Sequence, residues 1–118
     1  MAEVMIIDDN QAVLEVLGNL LRNEGYTVST AADGAEALAY LRKNGAPSLI
    51  LLDLMMPVMN GWQFRAEQLK DPALRSVPTV ILSSIFNLES EARVLQADGY
   101  IPKTFAFEEI LGMVRNYC

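Results

Sequence analysis

Residues whose side chains can do chemistry follow several short apolar runs in this sequence. Asp8 and Asp9 come directly after one run, and Asp53 follows a second. Ser83 follows a third run, and Lys103 follows a shorter, weaker one. Two carboxylates about 4 Å apart repel by roughly 4 kcal/mol at an effective dielectric near 20, so three of them together favour a bound cation.

The ligand types indicate which cation would bind. All candidate ligands are hard oxygens and the chain contains no histidine, which favours Mg²⁺, or else Mn²⁺, over zinc or copper. The Lys103 ammonium and the Ser83 hydroxyl are the kinds of donor that meet the spread negative charge of a phosphoryl group. The residues therefore predict phosphoryl chemistry on a carboxylate beside a divalent metal.

Five segments are predicted to be strands that hold these residues. The runs 4–7, 48–52 and 78–82 are too short for helices and apolar on both faces, which is typical of buried parallel strands. The segments 27–30 and 99–101 are weaker strand candidates, bounded by Gly, Asp or Pro.

Helical patterns lie between the strands and after the last one. Apolar residues form a stripe along 11–24, and Gly25 supplies a C-terminal stop. Asp33 with Glu36 resembles a capping box before a helix at 34–44. The segments 60–70 and 87–97 are less clearly periodic, and the last helix has the apolar stripe Phe107, Ile110, Leu111 and Val114.

This alternation predicts an α/β fold with a doubly wound parallel sheet covered by helices on both faces. Ligand sites in such sheets lie beyond the carboxyl ends of the strands, at the topological switch point. Asp8, Asp9, Asp53, Ser83 and Lys103 are all predicted to lie at that edge.

Size and charge restrict the function. The chain has 118 residues, which predicts a single domain over 1–118 with no output domain in it. A net charge of −6 disfavours direct binding of nucleic acid. The apolar runs are too short to span a membrane and no basic leader is seen, while the single cysteine, Cys118, suits a reducing cytoplasm.

Several motifs at successive strand ends together resemble one protein family, the receiver domain of two-component response regulators in the CheY-like superfamily. The resemblance covers essentially the whole chain, and its strength lies in the order of the pieces because no single piece is specific. The motifs are Asp8-Asp9, Asp53 with Pro57 and Gly61, Ser83-Ser84, and Tyr100 with Lys103-Thr104-Phe105.

The resemblance implies a flavodoxin-like (βα)5 fold with strand order 2-1-3-4-5, and a role for each matching residue. Asp53 would carry the phosphoryl group and bind the metal with Asp9, while Asp8 would hold a metal-bound water. The backbone carbonyl of Met55 would complete the protein ligands. The phosphate-binding and switch residues would be Ser83, Ser84, Lys103 and Tyr100.

The resemblance also implies partners and a mode of action. A sensor histidine kinase or a histidine phosphotransfer protein would supply the phosphoryl group. The face made by the fourth helix, fifth strand and fifth helix would then change its affinity for a downstream target protein. The chain would be a switch and not an enzyme, apart from self-phosphorylation and slow loss of its own phosphoryl group.

One position departs from the family pattern. The family usually has proline after the lysine, joined by a cis peptide, whereas Thr104 follows Lys103 here. A cis bond to a residue other than proline costs roughly 3 to 4 kcal/mol. We therefore expect either a trans Lys103-Thr104 peptide with a reshaped loop, or a strained cis bond held by its surroundings.

Alternative interpretations remain for the residues and for the chain. Each aspartate alone could end a strand or cap a helix, and Tyr100 could be an ordinary half-buried strand residue. The chain could be a degenerate receiver that only docks proteins, or a hydrolase with an aspartyl-phosphate intermediate. Such hydrolases commonly have an acid two positions after the nucleophile, where this chain has Met55. A flavodoxin-like cofactor binder is disfavoured because Asp8 and Asp9 would repel the cofactor's phosphate.

Overall fold

Five strands and five helices alternate along residues 2–118, the part of the chain that the computed structural model describes. The strands are β1 (Glu3–Ile7), β2 (Thr27–Ala31), β3 (Leu49–Leu52), β4 (Thr79–Ser83) and β5 (Gly99–Pro102). The helices are α1 (Gln11–Asn23), α2 (Gly34–Asn44), α3 (Gly61–Lys70), α4 (Leu88–Val94) and α5 (Phe107–Tyr117).

The strands form one parallel sheet in the order β2-β1-β3-β4-β5, which confirms the predicted order. Side chains of the central strands point alternately to the two faces. Met5 and Ile50 pack in the core under α2, α3 and α4, whereas Val4 and Leu49 pack in the core under α1 and α5. Two buried faces explain why these strands are apolar at nearly every position.

The ends of the first two helices follow the predicted signals. The side chain of Asp33 accepts a hydrogen bond from the Glu36 amide at 2.8 Å and so caps α2. Gly25 has a φ of 98°, a conformation that favours glycine, and the next amide, that of Tyr26, bonds back to the Leu21 carbonyl at 3.2 Å. The Gly25 stop and the Asp33 cap are therefore confirmed.

The predicted helix at 87–97 was wrong at its C-terminal end, because α4 ends at Val94. Gln96 adopts a left-handed conformation with a φ of 56° and donates to the Arg93 carbonyl at 3.1 Å. The Ala97 amide then donates to the Ala92 carbonyl at 3.0 Å. This pair of reversed bonds is the Schellman ending, here formed without glycine, so the sequence lacks the usual stop signal.

The sheet order brings the two most important strand ends together. The connections from β1 and from β3 leave in opposite directions across the sheet, so a crevice opens between these two neighbouring strands. Ile7 and Leu52, the last residues of β1 and β3, lie beside each other in the register. None of the helices in residues 2–118 combines the length and the apolar character needed to cross a membrane.

Candidate functional site

Three carboxylates meet at the carboxyl ends of β1 and β3. Asp8 and Asp53 follow these strands directly, and the Asp53 amide continues the ladder by donating to the Ile7 carbonyl at 2.9 Å. One carboxylate oxygen from each of Asp8, Asp9 and Asp53 lies within 4.8 Å of the others. Asp8 and Asp53 are 1% and 4% exposed, whereas Asp9 faces solvent. The predicted acidic cluster is therefore present.

The Lys103 ammonium lies between the two buried carboxylates. Its Nζ is 2.8 Å from Asp8 Oδ2 and 3.4 Å from Asp53 Oδ2. The Lys103 amide donates to the Ser83 carbonyl at 3.0 Å, which holds the residue at the end of β5. Burial lowers the pKa of this ammonium, but its contacts with Asp8 and Asp53 outweigh burial, so the pKa lies above its ordinary value.

Asp53 occupies a less favourable electrostatic position. Burial raises the pKa of its carboxyl above the ordinary value, and the charge of Asp8 raises it further. The opposing influences are Lys103 and a hydrogen bond from the Leu54 amide to Asp53 Oδ1 at 2.9 Å. The Asp53 carboxylate is thus a buried anion whose charge its surroundings only partly stabilise.

Asp8 supplies an independent sign of a cation site. Its Oδ1 accepts from the Asn10 amide at 2.9 Å. Its Oδ2 is buried, and within residues 2–118 it forms an ion pair with the Lys103 ammonium at 2.8 Å. Buried carboxylate oxygens are normally satisfied, and hard oxygen ligands of this kind suit Mg²⁺. The residues present therefore fit a divalent cation of the magnesium type.

The remaining predicted residues lie around this cluster. Ser83 is buried, and its Oγ accepts from the Ile85 amide at 3.3 Å, while Ser84 is exposed. Tyr100 is 41% exposed on β5, outside the carboxylate cluster and beside α4. Partial desolvation and the nearby Glu89 carboxylate raise the pKa of the Tyr100 hydroxyl.

The loop from β3 to α3 is tightly shaped around Asp53. A Cβ on Gly61 would overlap the Asp53 carbonyl and the Leu54 backbone, so only glycine lets α3 begin against the strand end. Val58, in the same loop, has a φ of 66°, which is strained for a β-branched residue. Met55 lies two residues after Asp53 with its side chain exposed.

The peptide between Lys103 and Thr104 is trans, like every other peptide bond in the described residues. A trans bond was the first of the two outcomes expected from the threonine. The ammonium nevertheless reaches both Asp8 and Asp53. Loss of the family's proline therefore does not remove the lysine from the cluster.

A buried polar network on α3 was missed by the sequence analysis. Phe64, Arg65 and Gln68 are all buried on one face of α3, together with Gly61. The two polar residues interrupt the apolar stripe, which explains why 60–70 lacked a clear period. Their spacing from Gly61 was the signal that could have shown them, because positions i, i+3, i+4 and i+7 share one helical face.

Comparisons with known proteins bear on the identity of the chain. The family model for the response regulator receiver domain matches residues 4–115. Protein PilG of Pseudomonas aeruginosa is 36% identical over 117 residues, which cover 98% of this chain and 86% of PilG. The chain spans about half the length of several other curated relatives that it matches, among them mycobacterial proteins named response regulator MprA.

Solved structures agree with the family match. The chemotaxis protein CheY4 of Vibrio cholerae is 30% identical, with a TM-score of 0.90 over 100% of this chain and 99% of that chain. The response regulator TrrA of Thermotoga maritima, solved in complex with Mg²⁺-BeF, is 28% identical with a TM-score of 0.88, and both chains are covered completely. With the fold and the carboxylate cluster described above, these matches show that the chain belongs to the response regulator receiver domain family.

Proposed function

We propose that Asp53 accepts a phosphoryl group from a phosphohistidine in a Mg²⁺-dependent reaction, and that this changes the affinity of the domain for a partner. The observation that carries the proposal is the pairing of two buried carboxylates with one ammonium. Asp53 lies 3.4 Å from Lys103, which also contacts Asp8 at 2.8 Å. Such a cluster holds a nucleophile and the charges that a transferred phosphoryl group requires.

In the proposed transfer, a carboxylate oxygen of Asp53 attacks phosphorus, and an oxygen–phosphorus bond forms. The phosphorus–nitrogen bond of the phosphohistidine breaks, and its electron pair remains on the imidazole nitrogen. Lys103 is proposed to bind the phosphoryl oxygens. Its ammonium would give up part of its present contact with the carboxylates and would contact the negative charge of the phosphoryl group instead. Ser83 and Ser84 are proposed to supply further hydrogen bonds to the phosphoryl group.

The proposed metal ligands are Asp9, Asp53 and the Met55 backbone carbonyl, with Asp8 acting through a water. A bound Mg²⁺, or Mn²⁺, would offset the clustered carboxylate charge and the charge of the phosphoryl oxygens. The burial of the Asp8 carboxylate, 1% exposed, supports this assignment because a buried anion favours a nearby cation. Mutual repulsion among Asp8, Asp9 and Asp53 supports it as well, because their oxygens lie within 4.8 Å.

The proposed switch links the site to the α4-β5-α5 face. The Ser83 hydroxyl now accepts from the Ile85 amide, and we propose that it leaves this bond for the phosphoryl group. Tyr100, which faces outward beside α4, is proposed to turn inward when Ser83 moves. A downstream protein would bind one of these two arrangements more tightly, as population shift requires.

The proposed donor is a sensor histidine kinase or a histidine phosphotransfer protein, in the cytoplasm. Turnover of external phosphoesters is not part of the proposal. The Met55 side chain, at the position of the acid in aspartyl-phosphate hydrolases, has no proton to give to a leaving group. The net charge of −6 also supports a protein partner and not nucleic acid as the target.

The test is phosphorylation of the whole chain with Mg²⁺ and acetyl phosphate, followed by intact-mass measurement. We expect one added phosphoryl group on the wild type, none on Asp53→Asn, and none on the wild type with EDTA. Asp33→Asn is the matched control, because Asp33 caps α2 and asparagine caps equally well. No gain on the wild type, or an equal gain on Asp53→Asn, would sink the proposal and favour a docking module.

A further inference from the structure

A buried guanidinium fastens the C-terminal end of α4 to α3. Arg65, on α3, is only 3% exposed. Its Nε donates to the Leu95 carbonyl at 3.0 Å and its Nη2 donates to the Gln96 carbonyl at 2.7 Å. These two residues end α4, since Leu95 is its C-cap and Gln96 takes the left-handed conformation. Charge-assisted hydrogen bonds are roughly twice as strong as neutral ones, so Arg65 holds the C-terminal end of α4 strongly against α3.

The other side of the guanidinium is fixed to α3 and β4. Arg65 Nη1 donates to Gln68 Oε1 at 2.9 Å and to Thr79 Oγ1 at 3.2 Å. Gln68 is fully buried, and its Nε2 donates to the carbonyl of Leu74 at 3.2 Å and to Thr79 Oγ1 at 3.0 Å. Arg65 is therefore held in one geometry by groups that belong to rigid elements.

The positive charge of Arg65 is stabilised by the C-terminal end of α4. No carboxylate in residues 2–118 lies within ion-pair distance of it, although Asp98 attracts it from further away. Its positive charge is instead met by carbonyls at a helix C-terminus, where the partial negative charge of the helix lies. Moving the end of α4 would leave a buried cation poorly solvated, which is strongly unfavourable.

The other end of α4 has no comparable attachment. The helix begins after Asn87, whose side chain makes no capping hydrogen bond within the described residues. Ser84 and Phe86, just before it, are exposed. One contact holds the middle of the helix, where Trp62 Nε1 donates to Glu91 Oε1 at 2.7 Å. The helix is thus held by charge-assisted hydrogen bonds at the end that is far from Asp53, whereas Leu88 at the near end is held by apolar packing in the core.

We propose that Arg65 is a positioning residue of the switch, which pins the C-terminal end of α4 so that only its N-terminal part responds to Ser83. The inference rests on the proposed phosphorylation of Asp53, which starts the movement. A partner would then recognise the changed arrangement at 84–91, because 95–97 stay in place in both states.

Backbone amides of α4 provide the readout. Leu95, Gln96 and Ala97 donate to the carbonyls of Glu91, Arg93 and Ala92 at 3.0, 3.1 and 3.0 Å, and they report on the pinned end. The Glu91 amide, which donates to the Asn87 carbonyl at 3.1 Å, reports on the other end. Hydrogen exchange at these amides is measured by NMR, with and without Mg²⁺ and beryllofluoride, a stable analogue of an acyl phosphate.

The test variant is Arg65→Leu combined with Gln68→Leu and Thr79→Val. It replaces the buried network with apolar side chains, which preserves folding better than removal of one partner. The control is Arg93→Leu, which removes an exposed arginine of α4 whose partner is Glu89. In the triple variant without ligand, we expect these three amides to exchange at least about tenfold faster relative to the core, because the bonds from Arg65 to the Leu95 and Gln96 carbonyls no longer hold this end of the helix.

In the wild type and in Arg93→Leu, we expect beryllofluoride to change exchange at Glu91 and to leave 95–97 unchanged. In the triple variant the change should spread to 95–97. Equal changes at both ends of α4 in the wild type, or slow exchange at 95–97 in the triple variant, would overturn the proposal. If beryllofluoride affects no amide and acetyl phosphate adds no mass, the proposed function fails. The proposal for Arg65 then fails as well, and faster exchange in the triple variant without ligand would show only that Arg65 stabilises the end of α4.

Discussion

Replacing Asp53, the candidate phosphoacceptor, by asparagine should make the metal-free protein more stable. In Asp53→Asn the side chain keeps an oxygen that can accept the Leu54 amide hydrogen bond, now 2.9 Å long. The variant loses a buried charge whose pKa is raised by burial and by Asp8. Because asparagine is nearly the same size, the packing around the 4% exposed side chain is preserved.

The size of this stability gain can be worked out from the distances between Asp53 and the charged groups around it. At 3.4 Å, Lys103 attracts Asp53 by about 5 kcal/mol with an effective dielectric of 20. Within 4.8 Å, Asp8 repels it by at least about 3.5 kcal/mol, and exposed Asp9 adds about 1 kcal/mol after screening by water. These contributions nearly cancel, which leaves the desolvation of the carboxylate. We expect the removal of this desolvation cost to raise the free energy of unfolding by about 1 to 3 kcal/mol.

The assay is thermal unfolding in EDTA. A domain of this size gains about 4 °C in midpoint per kcal/mol, so Asp53→Asn should melt about 4 to 12 °C above the wild type. Asp33→Asn should stay within about 0.5 kcal/mol of the wild type, since both residues are good helix caps. Mg²⁺ at about 100 times its dissociation constant stabilises the wild type by about 2.7 kcal/mol, which should close or reverse the gap.

The pH dependence gives a second check. The pKa of the Asp53 carboxyl is higher in the folded state than its value of about 3.9 in the unfolded state. Ionisation of Asp53 therefore costs stability, and this cost appears as the pH rises from about 3.9 through the raised folded pKa. The advantage of Asp53→Asn in EDTA should therefore be largest at neutral pH and disappear as the pH falls below about 4. A variant that melts below the wild type in EDTA at pH 7 would refute this reasoning.

Four further substitutions have expected outcomes. Val58→Asn should raise the free energy of unfolding by about 1 kcal/mol in urea titrations, because Val58 is strained at a φ of 66° and 83% exposed; no gain would mean that the loop relaxes. Gly61→Ala should cost more than about 2 kcal/mol because its Cβ meets backbone, whereas Gly112→Ala, with open space in α5, should gain about 1 kcal/mol. Lys103→Met should lower stability by about 3 kcal/mol in EDTA, since it leaves two buried carboxylates unpaired, and Mg²⁺ should restore part of the loss in thermal melts.

Most of the fold was predictable because the strong signals are local. β1, β3 and β4 are apolar at almost every position, and Gly25 and Asp33 act within one turn of the helix they limit. The end of α4 was not predictable in the same way. Gln96 takes a left-handed conformation that sequence normally assigns to glycine, and contacts from Arg65, distant in the chain, support the Leu95 and Gln96 carbonyls.

In the candidate site, too, positions set by the strand order were predictable, and features set by contacts between distant elements were not. Asp8, Asp9, Asp53 and Lys103 were predictable as a group because strand order alone brings their positions together. The orientations of side chains were not, because they depend on contacts between elements. Ser83 bonds to the Ile85 amide, Tyr100 faces outward, and Asp8 Oδ2 lies 2.8 Å from the Lys103 ammonium.

The electrostatics of the cluster connect its stability to its proposed function. One ammonium faces three carboxylates, so Lys103 neutralises only part of the negative charge. This imbalance destabilises the metal-free fold, and the same energy becomes available as affinity when a cation binds. A cluster balanced by a second lysine would be more stable but would bind Mg²⁺ weakly. The instability expected in EDTA and the proposed affinity for Mg²⁺ are therefore two measurements of one repulsion, and a substitution that lowers one should lower the other.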